Sequence, residues 1–196
     1  MVFVVLEGFS GTGKTTLAKK LEKRGWVRFE ESAHAVRSKK VPVAERADTY
    51  ADFSLIGATL VNAFGISRLR ENRRVVSEGF LLSDLAYARI RYDLKKSTAF
   101  PAMFRFTKEV MSHPAMRPDL YVLLKARTDT ISARQKRKNA RERTLDEFFR
   151  KRYYSAIHEI HRRLGERKVE TVYTDLVADA TLRAILSLLR KRRLDR

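Results

Sequence analysis

Short apolar runs alternate with amphipathic segments along most of this 196-residue chain. Residues 2–6 form a continuous, valine-rich apolar run, which is typical of a central strand covered on both faces. Residues 15–24 then carry apolar side chains at helical spacing, and Gly25 ends the predicted helix. This order predicts a strand followed by a helix at the start of the chain.

The same alternation continues to the end of the chain. Further strands are predicted at residues 26–30, at Val75 and Val76, at 120–124 and at 170–173. Helices are predicted at residues 47–69, 83–92, around 103–111, and at 130–138, 145–164 and 177–190. Strands that alternate with helices favour a parallel sheet with helices on both faces. We therefore expect an α/β fold with about five strands, in a single domain that spans residues 1–196.

The composition is that of a folded globular protein. Hydrophobic residues make up 44% of the chain and charged residues 33%, which excludes intrinsic disorder. The absence of cysteine excludes disulfides, cysteine-ligated zinc and thiol catalysis. The apolar runs have the length of strands and not of membrane spans, and no basic lead of a signal peptide precedes the first of them. We therefore expect a cytoplasmic protein without membrane insertion.

The chain is strongly basic, with 42 Lys and Arg against 23 Asp and Glu, a net charge of +19. One interpretation is a polyanionic partner such as nucleic acid, a membrane surface or a phosphorylated substrate. The other is a charged, heat-tolerant surface, because the chain has one Gln, three Asn and no Cys, and so few thermolabile residues. The charge leaves both interpretations open.

Residues 8–15, GFSGTGKT, satisfy the phosphate-binding pattern G-x-x-x-x-G-K-[ST] between a predicted strand and a predicted helix. Its glycines let the backbone turn so that N–H groups point at phosphate oxygens. Lys14, expected to be exposed in the empty site, should reach the β- and γ-phosphates of ATP, and the Thr15 hydroxyl should bind Mg²⁺. The residues predicted to bind ATP in this loop are Gly8, Ser10, Gly11, Thr12, Gly13, Lys14, Thr15 and Thr16.

The phosphate-binding loop occurs in several classes of enzyme. The rest of the chain excludes some of these classes. The chain is too short for a helicase core, has no N/T-K-x-D guanine signature, and has no hydrophobic strand that ends in Asp-Glu. Small-molecule phosphotransferases need only about 200 residues, a typical domain size. These observations predict a three-layer P-loop NTPase fold that acts as a kinase.

Two further segments carry a resemblance to a known family. Residues 78–87, EGFLLSDLAY, resemble the D-R-Y-x-x-S-x-x-A-Y segment of thymidylate kinases, and residues 117–124, RPDLYVLL, resemble their P-D-L-x-x-x-L strand. The chain is thus similar to P-loop nucleoside and nucleotide kinases as far as about Tyr154. The resemblance implies an ATP- and Mg²⁺-dependent kinase with a helical lid and a small acceptor, and it leaves a homodimer open.

The chain also departs from the thymidylate kinase pattern. Glu78 and Gly79 stand where that family has Asp-Arg, so the carboxylate is kept and an arginine is missing. Residues 29–32, FEES, replace R-E-P-G, and an acidic residue there is similar to deoxynucleoside kinases, whose Glu takes the proton of the acceptor hydroxyl. Residues 31–37, ESAHAVR, resemble P-loop kinases of the nicotinamide-nucleotide type. The acceptor is therefore open among nucleosides, nucleoside monophosphates and similar molecules.

The resemblance and the strand ends indicate candidate catalytic residues. Glu30 or, preferably, Glu31 is the candidate general base, because ligands bind beyond the carboxyl ends of parallel strands. Glu78 is a candidate Mg²⁺ ligand, with a helix-capping residue as the alternative. The basic residues 134–143 are the candidate lid, with a solvated helix or an RNA surface as the alternative. In the lid, Arg134 and Arg137 would be catalytic and Arg141 would contact ATP.

Weaker candidates concern the acceptor. The aromatic residues that could line an acceptor pocket, or else belong to the core, are Phe53, Phe64, Phe80 and Tyr87. The arginines that could hold an acceptor phosphate are Arg68, Arg89, Arg91 and Arg105. The four histidines are not expected to form a metal site. Two other functions stay open: a nucleic-acid-associated NTPase or polynucleotide kinase, and a nucleotide-binding protein with weak catalysis.

Overall fold

The computed structural model describes residues 1–36, 47–136, 147–165 and 169–194. Its described strands form one parallel sheet in the order β2-β3-β1-β4-β5. The strands are β1 (Phe3–Glu7), β2 (Val27–Phe29), β3 (Val75–Glu78), β4 (Leu120–Lys125) and β5 (Val169–Tyr173).

Helices connect the strands, as parallel pairing requires. They are α1 (Lys14–Glu22), α2 (Ser32–Val36), α3 (Thr49–Leu69), α4 (Leu81–Asp93), α5 (Phe100–Ser112), α6 (Thr128–Lys136), α7 (Glu147–Leu164) and α8 (Ala178–Lys191). A 3₁₀ turn, Pro114–Met116, precedes β4. In the described part of the chain, no helix is long and apolar enough to cross a membrane.

The sheet lies between two hydrophobic cores. Phe3 and Val5 of β1 pack on one face, against apolar residues of α3, α4, α5 and α7. Val4 and Leu6 pack on the other face, against α1 and α8. Because successive strand residues point to opposite faces, a strand that is covered on both sides must be apolar at every position. This explains the unbroken apolar run of β1.

The register of the sheet brings the functional segments to one edge. Leu6 of β1 pairs with Glu78 of β3 and with Val122 of β4. The loop after β1, the end of β3 and the segment after β2 therefore leave the sheet at its carboxyl edge, where ligands bind in open α/β sheets.

The predicted three-layer α/β fold with five parallel strands is confirmed, and the predicted helices lie close to their predicted bounds. Helix α2 was not predicted, because five residues are too few to show a helical period. Of the candidate lid at residues 134–143, only residues 134–136, at the end of α6, belong to the described residues.

Candidate active site

The loop between β1 and α1 has the shape of a phosphate-binding loop. Gly8 has φ +152°, and a Cβ atom there would lie 2.6 Å from the Thr12 hydroxyl and 2.8 Å from the Leu124 carbonyl oxygen. A side chain at this position is therefore excluded. The Thr12 hydroxyl donates to the Phe9 carbonyl at 2.8 Å and closes the loop on itself. Helix α1 begins at Lys14, so its N-terminus faces the space that the loop encloses.

Lys14 is held inside this loop. Its Nζ donates to the Gly8 carbonyl at 2.6 Å and lies 3.6 Å from the carboxylate of Glu31. Only 8% of the residue is exposed, so the expectation that Lys14 is exposed in the empty site is wrong. The loop carbonyl and the carboxylate supply the partners that the ammonium needs once it leaves water.

Glu78, at the end of β3, is buried and is held by two partners. The Thr15 hydroxyl donates to one of its carboxylate oxygens, and Arg28 Nε donates to the other at 2.5 Å. Arg28 also pairs with Glu30 at 2.9 Å. Although burial opposes the charge of Arg28, its carboxylate partners, Glu78 above all, raise its pKa above the ordinary value.

The Thr15–Glu78 pair fits the predicted Mg²⁺ site by its chemistry. Thr15 is the donor in their hydrogen bond, so the lone pairs of its hydroxyl oxygen stay available to a cation. Hydroxyl and carboxylate oxygens are the hard ligands that Mg²⁺ takes.

The residue after Glu78 explains the missing arginine. Gly79 has φ +73°, a left-handed conformation in which an arginine would be strained. The cation beside Glu78 comes instead from Arg28 on the neighbouring strand β2. A basic group is thus present at the Glu78 carboxylate, but it comes from β2 and not from the residue that follows Glu78.

Glu7, the last residue of β1, is a site residue that the sequence analysis missed. It has no exposed surface, and it accepts from the Phe80 N–H at 3.1 Å and from the Ser83 hydroxyl. The Tyr153 hydroxyl lies 2.7 Å from the Ser83 hydroxyl. Burial raises the pKa of Glu7 to about 7, against the lowering effect of the Ser83 hydrogen bond. Burial also raises the pKa of Tyr153 well above its ordinary value.

A cleft of about 580 Å³ opens above the loop, and its two ends differ chemically. The end between α2 and α4, which we call the acidic end, is lined by Glu31, Asp84 and Tyr87 together with Ser83, Arg91 and His34. The other end, which we call the β5 end, is lined by Arg134, Thr174, Leu176, Ala178 and Thr181. The phosphate-binding loop, with Lys14, lies between them.

The polar side chains at the acidic end are held by hydrogen bonds and by an ion pair. Asp84 accepts from the Thr59 hydroxyl at 2.5 Å, and the Ser32 hydroxyl lies 2.9 Å from the same Thr59 oxygen. Burial raises the pKa of Asp84 to about 7, and the charge of Glu31 acts in the same direction. Arg91 is fully buried and forms an ion pair with Asp52 of α3.

The β5 end is tied to the loop by α6. Arg134 donates to the Gly11 carbonyl at 3.3 Å and to the Thr174 carbonyl at 2.5 Å. Gln135, which is 1% exposed, donates to the Ser10 carbonyl at 3.0 Å. Two neighbouring residues of α6 therefore hold the backbone of the phosphate-binding loop.

Several predicted residues lie together in the cleft. These are Ser10, Gly11, Thr12, Gly13, Lys14, Thr15, Thr16, Glu31, Tyr87, Arg91 and Arg134. Glu30 instead points away and pairs with Arg28, which distinguishes it from Glu31. The predicted site residues Arg137 and Arg141 lie outside the described residues.

Other candidates for the acceptor pocket lie elsewhere. Phe80 is in the core against Phe3, with ring centroids 5.3 Å apart, and Phe53 and Phe64 are exposed on α3. Phe80 is therefore a core residue, the alternative stated above, whereas Phe53 and Phe64 are turned outward by α3 and do not line the cleft. Three arginines proposed for an acceptor phosphate are not among the cleft residues: Arg68, Arg89 and Arg105. Arg89 pairs with Asp93 at 3.1 Å.

Two of the residues that the sequence analysis missed, Glu7 and Arg28, could have been found from the sequence pattern. Each is a charged residue that interrupts or ends an apolar, strand-forming run. A charge at such a position is buried only when it has a partner. Asp84 carried no comparable signal, because it lies in a helix of mixed composition.

The comparisons with known proteins agree with this architecture. A family model described as an AAA domain matches residues 3–177. That span includes the phosphate-binding loop, the acidic end of the cleft and the β5 end as far as Leu176, and the chain belongs to this family. A comparison with curated protein sequences found no match.

Solved structures with the same fold include two kinds of kinase. A deoxyadenosine kinase from M. mycoides with bound dATP is 17% identical, with a TM-score of 0.70, and the match covers 97% of this chain and 100% of that one. A thymidylate kinase from Candida albicans is 14% identical, with a TM-score of 0.72, and the match covers 98% of this chain and 92% of that one. The fold is therefore that of the P-loop nucleoside and nucleotide kinases, as predicted.

Proposed function

We propose that this chain is an ATP- and Mg²⁺-dependent phosphotransferase that acts on a nucleoside, a nucleoside monophosphate or a similar small acceptor. The observation that carries the proposal is the cleft that Lys14, Thr15 and Glu31 line together, with Lys14 Nζ 3.6 Å from Glu31 and with the buried Glu78 bonded to Thr15. A phosphate-binding loop, a candidate metal ligand and a candidate base thus meet at one cleft. The membership in a P-loop family and the kinase fold support the proposal.

The loop and the β5 end would hold the donor nucleotide. Backbone N–H groups at the start of α1 and the positive end of the helix favour phosphate oxygens. Thr15 and Glu78 would hold the Mg²⁺ ion, which when bound neutralises charge on the β- and γ-phosphates. The apolar side chains of Leu176 and Ala178 line the cleft together with the Arg134 guanidinium. Such a surface suits the flat base of a nucleotide.

Lys14 and Glu31 would change partners when the donor binds. The ammonium of Lys14 would leave the Gly8 carbonyl for the phosphate oxygens, which carry more negative charge. The carboxylate of Glu31 would then lose its cationic partner and be available to accept a hydrogen bond from the acceptor. Binding of the donor would in this way prepare the base before the acceptor reacts.

The acidic end would orient the acceptor. Glu31 and Asp84 can accept hydrogen bonds from hydroxyl groups, and the ring of Tyr87 offers a stacking surface. The acceptor hydroxyl would give its proton to Glu31 while its oxygen forms a bond to the γ-phosphorus. The bond between that phosphorus and the β–γ bridging oxygen would break, and ADP would leave. The chain contributes position and charge and forms no covalent bond itself.

An acceptor panel tests the proposal. Consumption of ATP with Mg²⁺ is measured with nucleosides, nucleoside monophosphates and oligonucleotides as acceptors. We expect turnover with a small acceptor, and its loss in Lys14→Ala, because no other cation of the loop reaches the phosphates. Lys19→Ala is the matched control, since Lys19 is an exposed lysine of the same helix. Full turnover in Lys14→Ala, or turnover with no small acceptor, would contradict the proposal.

A nucleic-acid substrate is the second candidate, because of the +19 net charge. A polynucleotide kinase would phosphorylate an oligonucleotide end in the same panel and would leave free nucleosides unchanged. A nucleotide-binding protein with weak catalysis would bind ATP without turning over any acceptor. The three outcomes are distinguishable in one experiment.

A further inference from the structure

Positive charge is concentrated at the edge of the sheet where the strands begin. Five described segments lie there, because each of them precedes a strand or ends a helix: residues 22–26, 68–74, 117–119, 162–165 and 190–194. We call these five segments the basic edge. They contain thirteen Lys and Arg against three acidic residues, a net charge of +10. About an eighth of the chain thus carries more than half of its net charge of +19.

Two arginines join neighbouring segments of the basic edge. Arg70 donates to the Arg117 carbonyl at 2.6 Å, which links the end of α3 to the segment before β4. Arg74 donates to the Arg24 carbonyl at 3.3 Å, and its guanidinium lies 5.5 Å from the ring centroid of Trp26. These contacts hold the segments before β2, β3 and β4 against one another, so that they form one surface.

The exposed cations of the basic edge have few acidic partners. Arg192 pairs with Glu170 of β5, which places the end of α8 beside the start of that strand. Arg163 pairs with Glu159 of α7 at 3.4 Å. Seven further exposed cations have no carboxylate of the described chain within 4 Å: Lys23, Arg24, Arg68, Arg73, Arg162, Lys191 and Arg193. Such a surface suits a ligand that brings its own negative charges.

Helix ends explain only part of this charge. Cations in the last turn of a helix stabilise its negative end, and Arg68, Arg162 and Arg190 lie in such turns. The effect falls off beyond that turn. Arg73 lies four positions beyond the end of α3, and Arg193 lies two positions beyond the end of α8. The helix dipoles therefore do not account for the whole basic edge.

The opposite edge of the sheet differs in charge. The described segments that lead from a strand into the next helix are 8–13, 30–31, 79–80, 126–127 and 174–177. They contain three acidic residues and one cation, Arg127. The residues that line the cleft include none of the basic edge. In the connections that the structure describes, the excess of positive charge therefore lies away from the cleft.

The width of the basic edge matches a stretch of nucleic-acid duplex. Five strands spaced by about 4.8 Å make the edge about 19 Å wide from β2 to β5. A duplex of that length carries about eleven phosphates, at one per 1.7 Å, and roughly half of them face one side. Eleven of the thirteen cations are arginines, whose guanidinium groups bind phosphate through two parallel hydrogen bonds. The basic edge can therefore neutralise about six phosphates at once.

An anionic membrane is the alternative partner for a basic surface. Helices that bind at a membrane surface combine cations with apolar side chains that enter the lipid. Of the large apolar side chains that are exposed in the described chain, only Leu69, at 38%, belongs to the basic edge, and Met1 lies beside it. The basic edge therefore suits a phosphate backbone better than a lipid surface.

We propose that the basic edge binds nucleic acid, RNA or DNA, through the phosphate backbone and without reading the base sequence. The nucleic acid is then a ligand and not the acceptor, because it lies at the edge of the sheet opposite the cleft. The chain is held on a nucleic acid while its cleft stays open to small molecules. The proposal depends on the charge of this surface and is independent of the proposed function.

Duplex binding in a salt series is the first test. Fluorescence anisotropy is measured with the full chain and with labelled duplexes of RNA and of DNA of about 20 base pairs. With about six phosphates neutralised, the logarithm of the affinity should fall with a slope of about −5 against the logarithm of the salt concentration. Binding to either duplex supports the proposal, and the comparison of the two shows which sugar is preferred.

A triple variant tests the position of the site. Lys23→Gln/Arg73→Gln/Lys191→Gln removes three exposed cations that are spread over the basic edge. Each phosphate contact contributes about one to the slope, so the slope should decrease by about three. The affinity at about 100 mM salt should decrease more than tenfold. Far-UV circular dichroism checks that the variant is folded.

The matched control is Lys96→Gln/Lys108→Gln/Arg183→Gln. It removes the same number of lysines and arginines from exposed positions outside the basic edge. The net charge of the chain decreases equally in both triple variants, but the control should change the slope by less than about one. ATP with Mg²⁺, added at constant ionic strength, should leave the duplex bound, because the phosphate-binding loop lies at the other edge of the sheet.

Three results would overturn the proposal. They are the absence of binding to either duplex at about 100 μM chain, where even weak non-specific binding is measurable, an equal loss of affinity in both triple variants, and displacement of the duplex by ATP. Tighter binding to vesicles of phosphatidylcholine and phosphatidylserine than to the duplexes would assign the basic edge to a membrane surface and would overturn it as well.

Discussion

Glu7 ends the central strand as a carboxylic acid with no exposed surface, beside the hydroxyls of Ser83 and Tyr153. Its pKa of about 7, raised by burial, means that the folded chain keeps a proton there that the unfolded chain releases near pH 4.5. The folded state binds more protons between these two values, so the free energy of unfolding falls as the pH rises from about 4.5 to about 7.

Glu7→Gln should weaken this pH dependence, because a glutamine does not titrate and can keep both hydrogen bonds. A pKa difference of this size corresponds to about 3 kcal/mol. Urea unfolding at pH 5 and pH 8 measures most of it: the wild-type chain should lose about 2.5 kcal/mol more than the variant. Glu109→Gln, at an exposed position of α5, should behave like the wild type. Equal losses in the wild type and in Glu7→Gln would contradict the assignment.

Glu78 is the residue on which the proposed metal site depends. Glu78→Gln removes the charge that faces Thr15 and Arg28, and it should lower turnover about a hundredfold or more, as the loss of a charge-stabilising group typically does. Excess Mg²⁺ should restore part of the rate. The measurement is the rate of ATP consumption against Mg²⁺ concentration, with the exposed Glu71→Gln as the control. A normal rate with normal metal dependence would leave Glu78 with a structural role only.

Helix α3 shows that a correctly predicted helix can still leave open which of its sides faces the site. The sequence pattern predicted a helix at residues 47–69, and the structure has Thr49–Leu69, but the sides of the helix were not predicted. The segment is apolar all around, so its composition does not distinguish an inner from an outer side. Phe53 and Phe64 were therefore proposed for the pocket, although Leu55 and Thr59 are the residues that face the site.

The start of α3 allows a test of stability at the scale of one helix. The carboxylate of Asp48 accepts from the Ala51 N–H at 2.8 Å and caps the helix. Asp48→Ala should lower the free energy of unfolding by about 1 kcal/mol, because a backbone donor loses its partner. Asp48→Asn, which can still accept this bond, should cost much less. Urea unfolding measures both variants, and equal losses would show that the cap does not contribute.

The net charge of +19 is a property of the whole molecule, and it affects large and small ligands differently. A site that neutralises about six phosphates loses about a thousandfold in affinity between roughly 50 and 200 mM salt. We expect any oligonucleotide binding to follow this steep dependence, whereas turnover of a small acceptor changes by less than about tenfold. Fluorescence anisotropy and the kinase assay, run in the same salt series, measure the two. Equally steep losses in both would favour a polynucleotide acceptor.

The fold and the phosphate-binding loop were predictable because their signals are local. An apolar run of strand length, a glycine loop and the helix after it are neighbours in sequence, and the loop contacts, such as Thr12 to Phe9, join residues three apart. The same holds for the alternation that predicts the parallel sheet. Lys14, Thr15 and Glu31 could therefore be proposed as site residues from the printed sequence.

The remaining features of the site depend on contacts between distant residues. Ser83 meets Glu7 across 76 positions, Arg28 meets Glu78 across 50, and Arg134 meets Gly11 across 123. Such partners share no local pattern, because they are brought together by the order of the strands and by the packing of helices on the sheet. The burial that raises the pKa of Glu7 also exists only after folding. Only the tertiary structure could therefore decide which charged residues form the site.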